Sequence, residues 1–134
     1  MLTSRKAEIS MEFVIFIGIL MAFFVFYFGV IGAKTKDINE ATVFTNAKDI
    51  ADQIAYEINT ATKTDGYYRQ FTIPKELMER DGYSVEIDTS SRLVVLRWNG
   101  NNVVSNLITD QIYGNVSPGT NMIRNEGGLI VIES

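Results

Sequence analysis

Apolar residues fill one long stretch near the start of the chain. Residues 13–33 carry no charge and include Phe13, Phe16, Phe23, Phe24 and Tyr27 among many other large apolar side chains. A helix of about 20 apolar residues crosses the roughly 30 Å hydrocarbon core of a bilayer. The stretch therefore predicts a membrane-spanning helix that is apolar on every side, and such a helix must be enclosed by lipid or by protein.

The pattern then changes from uniformly apolar to amphipathic, without a helix-breaking residue. No glycine occurs between Gly32 and Gly66, and the first proline is Pro74. Apolar residues now recur at three- and four-residue steps, which is the spacing of one helix face. This seam consists of Phe44, Ala47, Ile50, Ala51, Ile54, Ile58 and Ala61. We expect one continuous helix from about residue 9 to residue 62, and its second half, residues 34–63, packs its seam against a folded head.

The remaining residues, 64–134, have the pattern of a small β domain, which we call the head. Short runs of β-branched and aromatic residues alternate with turn residues such as Asn99 and Gly100, as in β-hairpins. The runs predict strands at residues 67–73, 83–88, 92–98, 103–108 and 129–132, and the connection 74–82 has room for a short helical turn. We expect one antiparallel sheet of about four or five strands with Trp98 in the core. The predicted fold class is α+β, a long N-terminal helix packed on a small antiparallel sheet.

Composition narrows the chemistry that is open to this chain. The 134 residues include no cysteine and no histidine, and the formal net charge is −4. Disulfides, thiolate or imidazole metal sites and the commonest general base are thereby excluded. The charge also lacks the basic footprint of a nucleic-acid binder. We expect a protein that is not an enzyme, uses no cofactor or metal, and has no nucleic-acid partner.

One carboxylate, that of Glu12, stands at the entrance of the apolar stretch. An ionised group in membrane-spanning sequence costs roughly 2.5–3.5 kcal/mol even on lenient insertion scales, so it usually has a specific partner. The alternative is that Glu12 reaches the lipid headgroups from a simple anchor helix. The positive charges do not decide the orientation, because Arg5 and Lys6 precede the stretch while Lys34 and Lys36 follow it.

The residues around Glu12 stand in a recognisable order, Arg5, Lys6 and Ala7 followed by Glu8, Ile9, Ser10, Met11, Glu12 and Phe13. With the long apolar helix and the β head that follow, this order resembles the class III signal and N-terminal helix of archaeal type IV pilins. Ser10, Glu12 and Phe13 match the family's positions. Ala7 stands where the family usually has glycine, and Glu8 where it usually has glutamine.

The resemblance implies a processing step and a charge pair. Residues 1–7 would be a class III signal peptide that a prepilin peptidase removes between Ala7 and Glu8, and a cut after Lys6 is the alternative. The signal would lie on the cytoplasmic side and the head outside. Glu12, with Ser10 and Phe13 beside it in the assembly segment, would pair with the new α-ammonium of Glu8 on a neighbouring subunit.

The function that the resemblance implies is that of a structural subunit of an archaeal type IV pilus-like filament. The precursor would lie in the archaeal plasma membrane, and the mature chain would form an extracellular homopolymer through a membrane assembly platform. Phe16, Phe23, Phe24 and Tyr27 would lie in the filament core. Two alternatives share the sequence features: a single-pass signal-anchored protein with an extracytoplasmic binding head, and a minor pilin or adhesin.

A possible modification site lies in the head. Asn115, Val116 and Ser117 form an acceptor triplet for N-glycosylation, followed by Pro118, in a stretch with loop character. Asn115 is therefore a candidate for glycosylation, and an ordinary turn residue is the alternative.

Overall fold

The computed structural model describes residues 2–78 and 82–134, with side chains from Glu8 onward. The chain divides into two compact units, the first ending at Glu40 and the second covering Ala41–Ser134. One helix, α1, covers Leu2–Ala61 and contributes to both units. The predicted continuous helix is confirmed, and it begins earlier than residue 9 because the polar residues before the apolar stretch are also helical.

The first unit consists of α1 over its described residues. Every side chain from Glu8 to Glu40 is exposed, including all the large apolar ones. This agrees with the prediction of a helix that is apolar on every side, since a uniformly apolar surface has no face that the chain itself covers.

In the described residues of the second unit, the rest of α1 is combined with seven strands. These are β1 Tyr68–Ile73, β2 Ser84–Asp88, β3 Leu93–Trp98, β4 Asn101–Asn106, β5 Ile112–Tyr113, β6 Gly119–Glu126 and β7 Leu129–Glu133. They form a four-stranded sheet in the order β1-β6-β7-β5 and a three-stranded sheet in the order β2-β3-β4. All pairs are antiparallel except β5 with β7, which is parallel.

The prediction of an α+β fold is confirmed, but the prediction of one antiparallel sheet is wrong in detail. The head has two sheets, and the sequence reading omitted β5 and β6. In β6 the inward positions include Asn121 and Asn125, so the strand lacks the apolar alternation that marks a half-buried strand. These amides are buried because they are hydrogen-bonded: Asn121 Nδ2 donates to Ser117 O at 2.8 Å, and Asn125 Nδ2 donates to Ala61 O at 2.9 Å.

The connection after β1, residues 74–82, is described over residues 74–78 and at Gly82, and the rest of the predicted helical turn lies outside the described residues. Residues 74–78 form bends and a turn rather than a helical turn, and Leu77 is fully buried in the core. The buried Leu77 side chain thus fixes this segment against the core.

The predicted hairpin turn at Asn99 and Gly100 is confirmed. Both of these residues have positive φ, at 41° and 78°, as a two-residue turn between twisted strands requires.

The core lies between the seam of α1 and the two sheets. Six of the seven predicted seam residues are buried, and Ala55 joins them; the six are Ala47, Ile50, Ala51, Ile54, Ile58 and Ala61. Phe44 is 52 % exposed, with its ring 6.2 Å from the ring of the buried Trp98 in an edge contact. The seam alanines are buried in the same core as residues of both sheets, and Trp98 is a core residue as predicted.

One glycine is dictated by a close backbone approach where the four-stranded sheet ends. Gly114, directly after β5, has φ of +97°, and a Cβ there would lie 2.0 Å from Ile132 O in β7. Any side chain would push β5 away from β7, so this position admits only glycine.

Candidate functional site

The residues proposed for assembly all lie on the exposed part of α1. With about 100° between successive residues of a helix, Glu8, Glu12, Phe16, Phe23 and Tyr27 fall on one face, while Phe13 and Phe24 lie at its edge. Ser10 falls on the opposite side. The helix therefore brings together the two carboxylates and three of the four predicted filament-core aromatics, and it separates Ser10 from them.

Glu12 has an exposed side chain. Among the side chains described, from Glu8 onward, no ion pair of the chain includes Glu12. A carboxylate within an apolar helix has two ways to lower its energy, a counter-charge or hydration at a membrane surface. The described part of the chain supplies no counter-charge.

The structure describes only part of the proposed processing site. Arg5, Lys6 and Ala7 lie within α1, but their side chains lie outside the described residues. Glu8, on the other side of the predicted cut, is exposed.

The aromatic side chains of the apolar stretch pack on one another only locally. Phe24 and Phe28 are stacked with ring centroids 6.3 Å apart, and Tyr27 meets Phe28 edge-on at 6.2 Å. All remain more than half exposed, as do Phe13, Phe16 and Phe23. Gly18, Gly29 and Gly32 have open space where a Cβ would stand, so the single chain gives no packing reason for them.

By length and composition α1 qualifies as a candidate membrane span over Glu8–Ala61, and none of its most apolar window is buried inside the molecule. A long apolar helix with no internal cover is compatible with membrane anchoring.

The second unit contains a buried carboxylate on α1, at a position that the sequence pattern predicts to be on a polar face of the helix. Glu57 is 5 % exposed, and its Oε1 lies 3.4 Å from Nη1 of Arg69 on β1. Its Oε2 has no hydrogen-bond partner in the described residues. The pKa of Arg69 is raised above its ordinary value, mainly by a hydrogen bond to Tyr67 and secondly by the negative charge of Glu57. The one indication in the sequence that Glu57 is buried is its position at the border of the apolar seam, next to Ile58.

Side chains of α1 also hold the outer edge of β4. Lys48 Nζ donates to Val104 O at 2.8 Å and to Asp52 Oδ1 at 2.6 Å, while Ser105 Oγ donates to the same Asp52 oxygen at 2.7 Å. Asn59 Nδ2 donates to Asn106 O at 3.2 Å. The hydrogen bonds from Lys48, first, and from Ser105 lower the pKa of Asp52. Together, the bonds from Lys48 and Asn59 lie on β4. They satisfy carbonyls of an edge strand that would otherwise be open to pairing.

The candidate glycosylation residue, Asn115, lies in the loop between β5 and β6. Asn115 is exposed, and its Nδ2 donates to Val85 O of β2 at 2.9 Å. The bond links the loop of one sheet to a strand of the other. A glycan on Nδ2 would leave one N–H for this bond, so the geometry is compatible with either role.

Among the described residues, no group of three or more Asp or Glu side chains is placed so that it could hold a metal ion. Tyr83 donates its hydroxyl to Pro74 O, and burial raises the pKa of Tyr83 to about 12. A phenol held in this way is protonated at neutral pH and acts as a structural donor.

Comparison with known proteins finds no matching family model, no matching curated protein and no matching solved structure. The class that the fold and site define is an α+β protein with one exposed apolar helix of membrane-spanning length.

Proposed function

We propose that this chain is a structural subunit of an archaeal type IV pilus-like surface filament, made as a membrane precursor and polymerised through α1. The observation that carries the proposal is the exposed apolar surface of residues 13–33, with an exposed Glu12 at its entrance. Such a surface needs lipid before assembly and protein afterwards, and a filament core of packed helices provides the second environment.

Hydrophobicity alone gives little reason to leave the bilayer, because lipid tails are as apolar as the helix. A charge that finds its counter-charge gives one. An unpaired carboxylate and an unpaired ammonium are each costly in an apolar medium, and pairing between neighbouring subunits removes both costs. Glu12 and the amine created at Glu8 would form such a pair after cleavage behind Ala7, so processing would license assembly.

The helix surface supports close packing between copies. At Gly18, Gly29 and Gly32, the single chain has open space where a side chain would stand. Small residues of this kind allow helices in membranes to approach closely. Phe16, Phe23 and Tyr27 share the face of Glu12 and would interdigitate in the filament core. The partners are thus further copies of the chain, the prepilin peptidase and the assembly platform, and no enzymatic role is proposed.

A compact head with its own core also suits a monomeric signal-anchored protein, or a minor pilin at a filament tip. These alternatives differ from a major subunit in what Glu12 does and in how many copies a filament holds.

The test is Glu12→Gln in the native cell, with Glu40→Gln as the matched control, because Glu40 is an exposed carboxylate of the same helix outside the apolar stretch. We expect Glu12→Gln to keep wild-type membrane abundance but to lose most surface filaments in electron micrographs, and Glu40→Gln to assemble normally. N-terminal sequencing of sheared surface material should begin at Glu8. A surface protein that still begins at Met1, or normal filaments in Glu12→Gln, contradicts the proposal.

A further inference from the structure

The two sheets have four outer edges, and three of these are covered or short in the described part of the chain. On β4, Val104 O and Asn106 O accept hydrogen bonds from side chains of α1. On β2, Val85 O accepts a hydrogen bond from Asn115, and β5 is only two residues long. The fourth edge is β1, which has six residues and no strand beside it on its outer side among the described residues. An open strand edge is a template for pairing with another strand.

The register of β1 with β6 identifies the backbone groups on this open side. Asn125 N donates to Tyr67 O at 2.9 Å, directly before the paired residues Tyr68 and Arg124. In an antiparallel pair, alternate residues direct both backbone groups to the partner strand. The residues of β1 that bond to β6 are therefore at 69, 71 and 73, and those at 68, 70 and 72 direct N–H and C=O outward.

The side chains at the three outward-bonding positions suit a second strand. Tyr68, Gln70 and Thr72 are exposed and uncharged, and tyrosine and threonine are favourable strand residues. The one charged residue of β1, Arg69, is on the opposite face of the strand, where its guanidinium meets Glu57. The edge thus lacks the lysine or proline that commonly prevents edges from pairing.

The same three positions are complementary to themselves. When two copies of β1 run antiparallel with Gln70 opposite Gln70, Tyr68 of each copy is opposite Thr72 of the other. Every outward N–H then meets an outward C=O, and no like charges are brought opposite each other on this face, an arrangement that would destabilise the pair.

We propose that the outer edge of β1 is a pairing site for β1 of a second copy of this chain, in antiparallel register centred on Gln70. The contact uses the same patch on both copies and closes on itself, so it joins two heads and does not by itself build a filament. In the filament proposed above it would connect heads of two different filaments. That consequence rests on the proposed function, whereas the pairing itself does not.

The test is disulfide cross-linking of the full chain in detergent micelles under copper phenanthroline. Since the natural chain has no cysteine, each variant carries one thiol. The Cα atoms of a hydrogen-bonded antiparallel pair are about 5.5 Å apart, within the roughly 4.4–6.8 Å that a disulfide spans. We expect Gln70→Cys to give at least about fivefold more covalent dimer than Asn102→Cys, an exposed residue on the covered edge of β4.

A mixing experiment tests the register. Tyr68→Cys and Thr72→Cys should each give little dimer alone, because two copies of either residue would be about 14 Å apart along the paired strands. A mixture of the two variants should give a dimer yield close to that of Gln70→Cys, since Tyr68 of one copy is opposite Thr72 of the other. Fluorescence of Trp98 verifies that each variant is folded.

Association through α1 alone would bring heads together without this selectivity. Equal yields for Tyr68→Cys, Gln70→Cys and Thr72→Cys alone therefore overturn the proposal, as does a Gln70→Cys yield no higher than that of Asn102→Cys. None of these results depends on filament formation, which is tested separately through Glu12 in the cell.

Discussion

At the scale of single residues, the second unit contains polar side chains that are buried from solvent. Glu57 is the clearest case, because its carboxylate is nearly fully buried and has one cationic neighbour, Arg69. A buried charge is tolerated only while it is paired, since its desolvation cost remains when the partner is removed. Arg69 is about half exposed, so solvent weakens its attraction to Glu57. The Glu57 carboxylate itself stays buried.

We predict that Arg69→Met lowers the urea midpoint of the second unit, because Glu57 is left buried without its counter-charge. The double variant with Glu57→Met should recover most of this loss. The measurement is urea unfolding of the full chain in detergent, followed by the fluorescence of Trp98, the single tryptophan.

The control is Arg97→Met, which breaks the pair with Glu86 in which both side chains are about 60 % exposed. It should change stability by less than about 0.5 kcal/mol. A double variant as unstable as Arg69→Met alone would show that Arg69 contributes through packing and not through Glu57.

At the scale of elements, α1 and β4 are joined by side chains that satisfy an edge strand. The bonds come from Lys48, Asp52 and Asn59 of α1 and from Ser105 of β4. Their pairing depends on β4 lying beside this face of α1. Sequence periodicity fixes which helix face is polar, but it does not say which strand that face meets.

The Asp52 contacts predict a pH dependence at the acid end. Because Lys48 and Ser105 lower the folded-state pKa of Asp52, its contribution to stability is present above the unfolded pKa of about 3.9 and is lost as the pH falls through the lower folded value. The contribution is about 1 kcal/mol or less, since the side chain is half exposed and screened by solvent.

Asp52→Asn should therefore lower the urea midpoint at pH 7 and flatten the loss of stability between about pH 4 and pH 2. Asp88 and Asp110 also have lowered pKa values, so part of the acid dependence should remain. Asp49→Asn, at a neighbouring exposed position, should keep the wild-type pH profile. Parallel profiles for wild type and Asp52→Asn would mean that the Asp52 contacts add no stability.

At the scale of the whole molecule, one chain combines two compact units that need different surroundings. The second unit buries its apolar residues in a core, while the first leaves its apolar residues exposed. A water-soluble monomer would expose far more contiguous apolar surface than such proteins normally do. The exposed apolar residues of the first unit are compatible with membrane anchoring.

We predict that the full chain stays in the membrane pellet after alkaline carbonate washing and is released by detergent. Ile19→Asp with Phe26→Asp should move much of it to the soluble or degraded fraction, because each charge near the centre of a span costs about 2.5–3.5 kcal/mol. Both side chains are exposed apolar ones of the first unit.

The matched control is Ile108→Asp, an equally exposed apolar residue of the head. It should leave membrane retention unchanged. Retention of the double aspartate variant at the wild-type level would exclude residues 13–33 as the membrane anchor.

The sequence by itself determined the continuous helix, its apolar and amphipathic halves, six of the seven seam residues and the hairpin at Asn99. These follow from local propensity and periodicity, which act over a few residues. The tertiary structure alone decided the division into two sheets, the parallel pairing of β5 with β7, and the burial of Glu57, Asn121 and Asn125. Those features depend on which segments meet across long stretches of chain, where a polar residue is buried only because a distant partner satisfies it.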